Sequence, residues 1–272
     1  MTKSPFHNVK TEGLSFCTTP VELLVDKTHF AHGSGFIWKH ADAFHLITNW
    51  HNLSGQDPFT GRHLNEGGRV PNTIRIMPCT LTAKGDQTEI KRRPITIPLY
   101  EHFHQPFWQQ HKDFATNRAD IATLPLPTSD PAYAHVNQFQ FEPLFTHIGA
   151  DLLIAGYPYS NYEGLMLPIW KRGSLASEPG FSWQNRPAFL IDAASRPGMS
   201  GSPVFRRVFG PAASPDEQGN YMIKADNVMT SEFVGVYAGH LTTQDANVTI
   251  GYAWYGALID EILAAPAAGT RL

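Results

Sequence analysis

Residues 193–205 read "AASRPGMSGSPVF", a run in which small residues surround Ser200. Gly198 permits backbone angles that turn successive N–H groups to one side, and Gly201 leaves room around the Ser200 hydroxyl. Pro203 marks the start of the apolar stretch "PVF". A plain Gly-Ser-Pro turn has the same composition. The run therefore predicts either a tight turn into a strand or a support for a nucleophilic serine, depending on the partners elsewhere in the chain.

A serine hydroxyl becomes a nucleophile only with a base, a group that orients the base, and donors for the oxyanion that forms. His51 is the candidate base, because it follows the apolar run "LITNW" where a strand ends at a rim. The candidate carboxylate is Asp120, which leads into the apolar run "IATLPL" and needs a polar partner if buried. Asp113 is the less suited acid, since its neighbours "QQHKDFATN" look exposed.

Each of these residues also has an ordinary interpretation: a surface histidine, a strand-start turn aspartate or a Gly-Ser turn. Taken together, the order His51, Asp120, Ser200 in a strand-rich chain predicts nucleophilic catalysis. The N–H groups of Gly198 and Ser200 are then the expected oxyanion donors.

Short strands dominate the pattern. "GSGFIWKH" and "AFHLITNW" are rich in aromatic and β-branched residues and are separated by a polar turn, which predicts a hairpin. The one stretch with helical spacing is 255–265, where Leu258, Ile259, Ile262 and Leu263 can share an apolar face. About ten strands and a terminal helix predict an all-β barrel architecture.

We expect one domain over 1–272, in which 125–138 connects two groups of strands. The predicted parts are an N-terminal barrel over 20–125, a C-terminal barrel over 138–254 and the helix over 255–265. Residues 54–69, rich in glycine and polar side chains, are predicted to form a surface loop.

Composition excludes several classes of protein. Apolar residues make up 42% and charged residues 17% of the 272 residues, so a sizeable core can form. The net charge is −3, and "KRRP" is too short a basic run for a nucleic-acid surface, so no nucleic-acid partner is expected.

The N-terminus lacks the apolar run of a secretory signal, and no segment is apolar for the length of a membrane span. Cys17 and Cys79 are expected to be free thiols in a reducing, cytoplasmic compartment, with no membrane contact.

The sequence resembles the trypsin-like serine peptidases of the double-barrel chymotrypsin fold, and among them the bacterial single-domain and HtrA-like branch. The motifs that carry the resemblance are "GSGF", "LITNWH", "DIATL", "IAGYP", "RGSLAS", "DAASRPGMSGSPV" and "TIGYAWYGALIDEIL", which begin near residue 30. It implies two packed β-barrels of six-stranded type with a C-terminal helix, and a peptidase without cofactor or metal that acts on proteins or peptides. His51 would be the general base, Asp120 its orienting carboxylate and Ser200 the nucleophile, with oxyanion-hole amides from Gly198 and Ser200.

Three departures from the family pattern have consequences. Met199 stands where zymogen-activated members carry an aspartate that pairs with a new N-terminus, so we expect no activation of that kind. Ser202 replaces a usual glycine, a small change. The peptide-binding domain that follows the peptidase domain in HtrA proteins is not expected here.

The resemblance also implies a specificity. In this fold the residue six positions before the nucleophile lies at the base of the primary pocket, and here it is Ala194. The opposite wall is expected from Ala238, Gly239 and His240. Alanine supplies no counter-charge for lysine or arginine, so a small or apolar residue before the cleaved bond is expected.

Three rival interpretations remain open at this point. An α/β-hydrolase would need G-x-S-x-G and an acid and histidine after the serine, nominally Asp216 or Asp226 with His240. A metal site is suggested only by "EHFHQPFWQQH", with Glu101, His102, His104 and His111, without a supporting zinc motif. The third is a catalytically silent barrel that binds peptides, although such a member is expected to have lost a triad residue or the oxyanion glycine.

Overall fold

In a computed structural model of the chain, the described residues are 12–85, 87–101, 105–129, 131–158, 166–194, 196–216, 218, 220–224, 229–241 and 250–272. Strands dominate the architecture. In the first half they are β1 (Thr18–Val25), β2 (Thr28–His40), β3 (Ala43–Thr48), β4 (Thr73–Ile76), β5 (Cys79–Lys84), β6 (Gln87–Arg92), β7 (Ile95–Pro98), β8 (Tyr100–Glu101), β9 (Gln105–Pro106), β10 (Gln109–Gln110) and β11 (Ala122–Pro125). Two short helices lie among them, α1 (Trp50–Ser54) and α2 (Phe114–Asn117).

The second half has the same character. Its strands are β12 (Asp151–Gly156), β13 (Ile169–Leu175), β14 (Ala188–Asp192), β15 (Pro203–Phe209), β16 (Ala212–Pro215), β17 (Tyr221–Lys224), β18 (Met229–His240), β19 (Ile250–Tyr255) and β20 (Ala267–Ala268). Helix α3 (Ala257–Ala264) precedes the last strand, and 3-10 turns cover Gly13–Phe16 and Val136–Gln138. The all-β class with a terminal helix is confirmed.

The strands form two principal units. In the first, eight strands form a half-barrel sheet in the order β20-β10-β11-β3-β2-β1-β4-β7. In the second, β12-β13-β14-β19-β18-β15 close into a six-stranded barrel. The N-terminal unit thus differs from a closed six-stranded barrel: β20, from the far end of the chain, joins its edge through β10. The hairpin predicted from "GSGFIWKH" and "AFHLITNW" is the antiparallel pair β2–β3.

Apolar burial holds the two units together. One core cluster lies within the sheet and a second within the barrel, while a third combines residues of both, among them Phe36, Ile47, Phe205 and Trp254. Helix α3 joins the third cluster with the apolar face predicted from its spacing: Leu258, Ile259, Ile262 and Leu263 are all buried. Because the shared core excludes water, the loops at the boundary between the units have a rigid support.

Cys17 and Cys79 are both buried and unpaired, as the sequence predicts. Burial raises the pKa of each thiol above its ordinary value, so neither is activated as a nucleophile. None of the helices in the described parts of the chain has the length and apolar character of a transmembrane span.

Candidate active site

Helix α1 carries His51 at the end of β3. The helix has only five residues, a length at which a helix is not stable by itself. It is held by Trp50 and Leu53, which are fully buried, and it ends at Gly55, whose φ of +71° closes the turn. The side chain of His51 remains 16% exposed. The sequence therefore places an imidazole on an anchored turn with one edge open.

Asp120 lies two residues before the start of β11 and is completely buried. Strand β11 pairs with β3, with Ala122 opposite Thr48, which brings Asp120 beside the start of α1. Its Oδ2 is 2.7 Å from Nδ1 of His51, and its Oδ1 accepts the backbone N–H of His51 at 2.9 Å. A buried carboxylate is stable only with such partners. The acid is thus bound to His51 through both oxygens.

Asp113 lies elsewhere, at the start of α2. Its side chain is 62% exposed, and its nearest imidazole is that of His111, at 4.0 Å. The sequence ranked Asp113 below Asp120 because of its polar neighbours, and the geometry pairs Asp120 with His51.

The ion pair alters the proton affinity of His51. Burial acts to lower the pKa of the imidazole, but the charge of Asp120 and the hydrogen bond to it, with a smaller contribution from Asp57, raise the pKa above its ordinary value. Since a carboxylate oxygen only accepts, Nδ1 must carry the proton. In the neutral imidazole Nε2 then has a free lone pair, as a general base requires.

Ser200 lies in the loop before β15, on the barrel side. The loop turns through two glycines with positive φ, +94° at Gly198 and +89° at Gly201. The Ser200 hydroxyl donates to the carbonyl oxygen of Ala238 at 2.9 Å. Among the described residues, no hydrogen bond joins it to His51. The two are nevertheless neighbours, because Asn52, adjacent to His51, donates from Nδ2 to the carbonyl oxygen of Ser200 at 3.3 Å.

Two backbone donors of this loop are uncommitted. The N–H groups of Met199, Gly201 and Ser202 donate within the protein, to the carbonyls of Arg196, Tyr237 and Met199. Within the described part of the chain, the N–H groups of Gly198 and Ser200 have no such acceptor. Two free N–H groups, one of them belonging to the serine itself, can bind an anionic oxygen next to its hydroxyl.

Ser34 joins this loop to the sheet, and the sequence did not assign it a role. It lies fully buried in β2. Its hydroxyl donates to the carbonyl oxygen of Gly198 at 2.7 Å and accepts the N–H of Tyr157 at 2.8 Å, while its own N–H donates to the carbonyl oxygen of Ser200 at 2.8 Å. One residue of the first unit thus holds two carbonyls of the loop that carries Ser200.

Thr48 and Asn52 extend this network toward α1. Thr48 Oγ1 donates to the carbonyl of Ser34 at 2.8 Å, and Asn52 Nδ2 donates to Thr48 Oγ1 at 2.9 Å. Two features of the sequence lie at this network, a serine between two glycines in "GSGF" and a polar run around His51. Neither predicts a partner more than a hundred positions away.

The expected pocket residues lie around Ser200 to different degrees. Ala238 is buried and accepts the Ser200 hydroxyl, and a Cβ on Gly239 would lie 3.8 Å from Ser200 Oγ. His240 and Ala194 are exposed. The geometry therefore brings Ala238 and Gly239 to the serine, and leaves the role of the other two as a prediction.

The rival sites do not assemble. An antiparallel barrel is not an α/β-hydrolase fold, and the carboxylate of Asp216 accepts the N–H groups of Gln218 and Asn220 in a local turn. Asp226 lies outside the described residues.

Of the residues suggested for a metal site, His102 and His104 also lie outside the described residues. His111 commits both ring nitrogens, Nδ1 to the N–H of Asp113 and Nε2 to Glu261. No group of three metal-ligating side chains occurs among the residues that the structure describes.

Solved structures resemble the chain at low identity. A thermostable serine protease from an extremophilic microorganism matches with 14% identity and a TM-score of 0.50, over 93% of this chain and 99% of that one. A serine endoprotease from Yersinia pestis matches with 16% identity and a TM-score of 0.46, over 94% and 67%. The protease Anisep from Arthrobacter nicotinovorans matches with 14% identity and a TM-score of 0.47, over 88% and 90%. The match with a TM-score of 0.50 supports the fold alone.

Sequence comparison identifies the family. No curated protein matches the chain significantly. The family model of the trypsin-like peptidase domain matches residues 33–208, a range that begins at "GSGF" and includes His51, Asp120 and Ser200. Since this range is more than half of the chain, the protein belongs to the trypsin-like peptidase family and is a peptide hydrolase.

Proposed function

We propose that the protein is a serine endopeptidase in which Ser200 is the nucleophile, His51 the general base and Asp120 the carboxylate that orients it. The observation that carries the proposal is the double contact of Asp120 with His51, at 2.7 and 2.9 Å. Ser200 lies nearby, and the N–H groups of Gly198 and Ser200 have no acceptor among the described residues. The contact holds the imidazole in the tautomer whose Nε2 can take a proton.

The reaction has two halves. Ser200 Oγ attacks the peptide carbonyl carbon as its proton passes to His51 Nε2, and the carbonyl oxygen becomes an oxyanion bound by the N–H groups of Gly198 and Ser200. The C–N bond then breaks, the amine leaves with the proton from His51, and the acyl group remains on Ser200. Water, deprotonated by His51, attacks the acyl carbon and releases the acid and the Ser200 hydroxyl.

The Ser200 hydroxyl has to turn before it can react. It donates to the carbonyl of Ala238, so rotation about its Cα–Cβ bond toward Nε2 of His51 precedes proton transfer. The rotation also frees the Ala238 carbonyl oxygen, which can then accept a hydrogen bond from a substrate N–H. Substrate binding and alignment of the nucleophile would in this way support each other.

The proposed substrates are proteins or peptides with a small or apolar residue before the cleaved bond. Support comes from Ala194, which offers no carboxylate for a basic side chain, and from the small residues Ala238 and Gly239 next to the nucleophile. A site without a counter-charge discriminates against lysine and arginine because their charge would be desolvated without a partner.

The alternative is a silent barrel that binds peptides without cleaving them. Labelling with a fluorophosphonate separates the two, because only an activated serine with an oxyanion site reacts. We expect covalent labelling at Ser200, absent in Ser200→Ala. Ser202→Ala is the matched control: its buried hydroxyl has no hydrogen-bond partner among the described residues, so its loss should leave labelling intact. An unlabelled wild-type chain, beside a reacting control peptidase, would overturn the proposed function.

A further inference from the structure

Residues 267–272, named here the strap, run from the barrel side of the molecule back to the helix that carries His51. They follow α3, which packs in the core shared by the two units. The strap begins as β20, paired with β10 through Ala267 opposite Gln110. The N–H of Gly269 continues the pairing by donating to the carbonyl of Trp108 at 2.9 Å. Added to the sheet edge in this way, the strap is bound by backbone as well as side-chain contacts.

The first link from the strap to α1 passes through Gln110. Its Oε1 accepts the indole N–H of Trp50 at 2.9 Å and also the backbone N–H of Thr270 at 2.9 Å. Its Nε2 donates to the hydroxyl of Thr270 at 3.0 Å. One buried amide therefore joins the strap to the residue next to His51.

A second link passes through Tyr100. Arg271 donates from Nε to the phenol oxygen at 3.2 Å, and its guanidinium lies 4.4 Å from the centre of the ring. The phenol hydroxyl in turn donates to the carbonyl of Leu53 in α1 at 3.3 Å. The cation over the ring adds an attraction to the hydrogen bond.

The third link is direct. Gln56, two residues beyond α1, is only 3% exposed. Its Oε1 accepts the N–H of Leu272 at 2.8 Å, and its Nε2 donates to the Leu272 carbonyl at 2.9 Å and to the Gly61 carbonyl at 3.0 Å. The Gln56 amide thus makes the same pair of hydrogen bonds to Leu272 that a neighbouring strand would make. Its bond to Gly61 holds the loop that follows the helix.

A five-residue helix takes its position from its neighbours, because it cannot form by itself. The strap is linked to the α1 region at three points, to Trp50 through one intermediate side chain, to Leu53 through another, and directly to Gln56. We propose that the strap is a positioning element of the peptidase, which sets His51 against Asp120 and Ser200. The inference rests on the proposed function, in which His51 is the general base.

The test removes and restores the strap. A variant lacking residues 267–272 should lose at least roughly tenfold in kcat, since misplacing a base by about 1 Å can cost 10²-fold, while KM stays within about twofold. Adding the peptide "AAGTRL", residues 267–272, in trans should recover most of the activity. The same peptide with Gly269→Val should not, because a Cβ at this position would collide with the ring of Trp108.

Two further measurements keep the inference testable if the shortened chain folds poorly. In Gln56→Ala, which removes only the third link, kcat should fall more than KM changes. The proton NMR resonance of His51 Nδ1–H, bonded to Asp120, should shift or broaden in both variants, and in the shortened variant it should return when the peptide is added. Full kcat in the shortened variant, or a fall in kcat with an unchanged resonance and no rescue, would overturn the inference. Failure of the proposed function looks different, because the intact chain itself would then be inert to fluorophosphonate.

Discussion

The hydroxyl of Ser34 donates a 2.7 Å hydrogen bond to the carbonyl oxygen of Gly198, across 164 positions of the chain. The bond joins the half-barrel sheet to the nucleophile loop of the closed barrel. It orients the peptide plane that follows Gly198, next to the two N–H groups proposed as the oxyanion hole. The boundary between the two units is thus where the chemistry is arranged.

Ser34→Ala is expected to lower kcat and to destabilise the fold. The change removes the hydrogen bonds that the Ser34 hydroxyl makes with the Gly198 carbonyl and the Tyr157 N–H, a loss that costs about 1–3 kcal/mol. Ser15→Ala is the matched control, since Ser15 is also buried and its hydroxyl accepts Trp170 Nε1 at 2.9 Å, away from the nucleophile loop. Thermal unfolding and steady-state kinetics of both variants measure the difference. Equal kcat in the two would remove Ser34 from the site.

Asp120→Asn is expected to reduce kcat by roughly 10⁴ with the fold retained. The amide would present N–H groups to Nδ1 of His51, which reverses the tautomer and places the proton on Nε2, where it blocks base catalysis. Circular dichroism and kcat on one peptide substrate test this together. Asp113→Asn serves as the control acid and should keep its activity. A wild-type rate in Asp120→Asn would disprove the assignment of the third member.

Activity should rise with pH through the titration of His51. The base works only when neutral, and the charge of Asp120 raises the pKa of His51 above its ordinary value, so the midpoint of kcat/KM against pH should lie above about 6.5. In Asp120→Asn the partner that favours the charged form is absent, so the residual activity should show a lower midpoint. Histidine titrates between about pH 5 and 8. A profile that is flat over this range would argue against His51 as the base.

Gly198→Ala is expected to lower kcat by roughly 10²–10³, the loss typical of a damaged oxyanion site. Position 198 has a φ of +94°, and a Cβ there would lie 2.6 Å from the Tyr157 carbonyl and 2.7 Å from the ring of His32, so the loop must shift. Gly180→Ala is the control, because no atom lies within 4 Å of its added Cβ. Initial rates on a small ester and a peptide report the effect, and a fully active Gly198→Ala would contradict it.

Cleavage of a peptide library should favour small or apolar residues before the cut, with Lys and Arg disfavoured. Ala194→Asp should move the ratio of kcat/KM toward basic residues, since a carboxylate at the base of the pocket would pair with them. Mass spectrometry of the products reads the preference. A wild-type profile dominated by Arg or Lys would reject the role given to Ala194.

Local patterns were sufficient for much of the fold and for the three candidate residues. Two runs rich in aromatic and β-branched residues, separated by a polar turn, predicted the β2–β3 hairpin, and helical spacing predicted the buried face of α3. The run around Ser200, the strand end before His51 and the apolar run after Asp120 are all short-range signals. Such signals work because strand alternation, glycine turns and an acid that leads into a core depend on neighbours in sequence.

The partners across the two units could not be read in the same way. Ser34, Gln110 and Gln56 are ordinary polar residues, and their hydrogen bonds reach 164, 160 and 216 positions along the chain. Nor does any pattern predict that β20 joins the edge of the first sheet. These contacts exist only after the sheet and the barrel have packed.

The sequence by itself determined the residue types that the chemistry needs: a base at a strand end, an acid before a buried strand, a serine between glycines, and no counter-charge at Ala194. Only the tertiary structure decided how they meet. Pairing of β11 with β3 brings Asp120 onto His51, and pairing of β20 with β10 lays the strap against α1. Packing the sheet on the barrel lets Ser34 hold the Gly198 carbonyl. The physical reason is that the hydrophobic effect drives this packing without regard to direction, whereas the buried polar groups it brings together must find partners in one geometry.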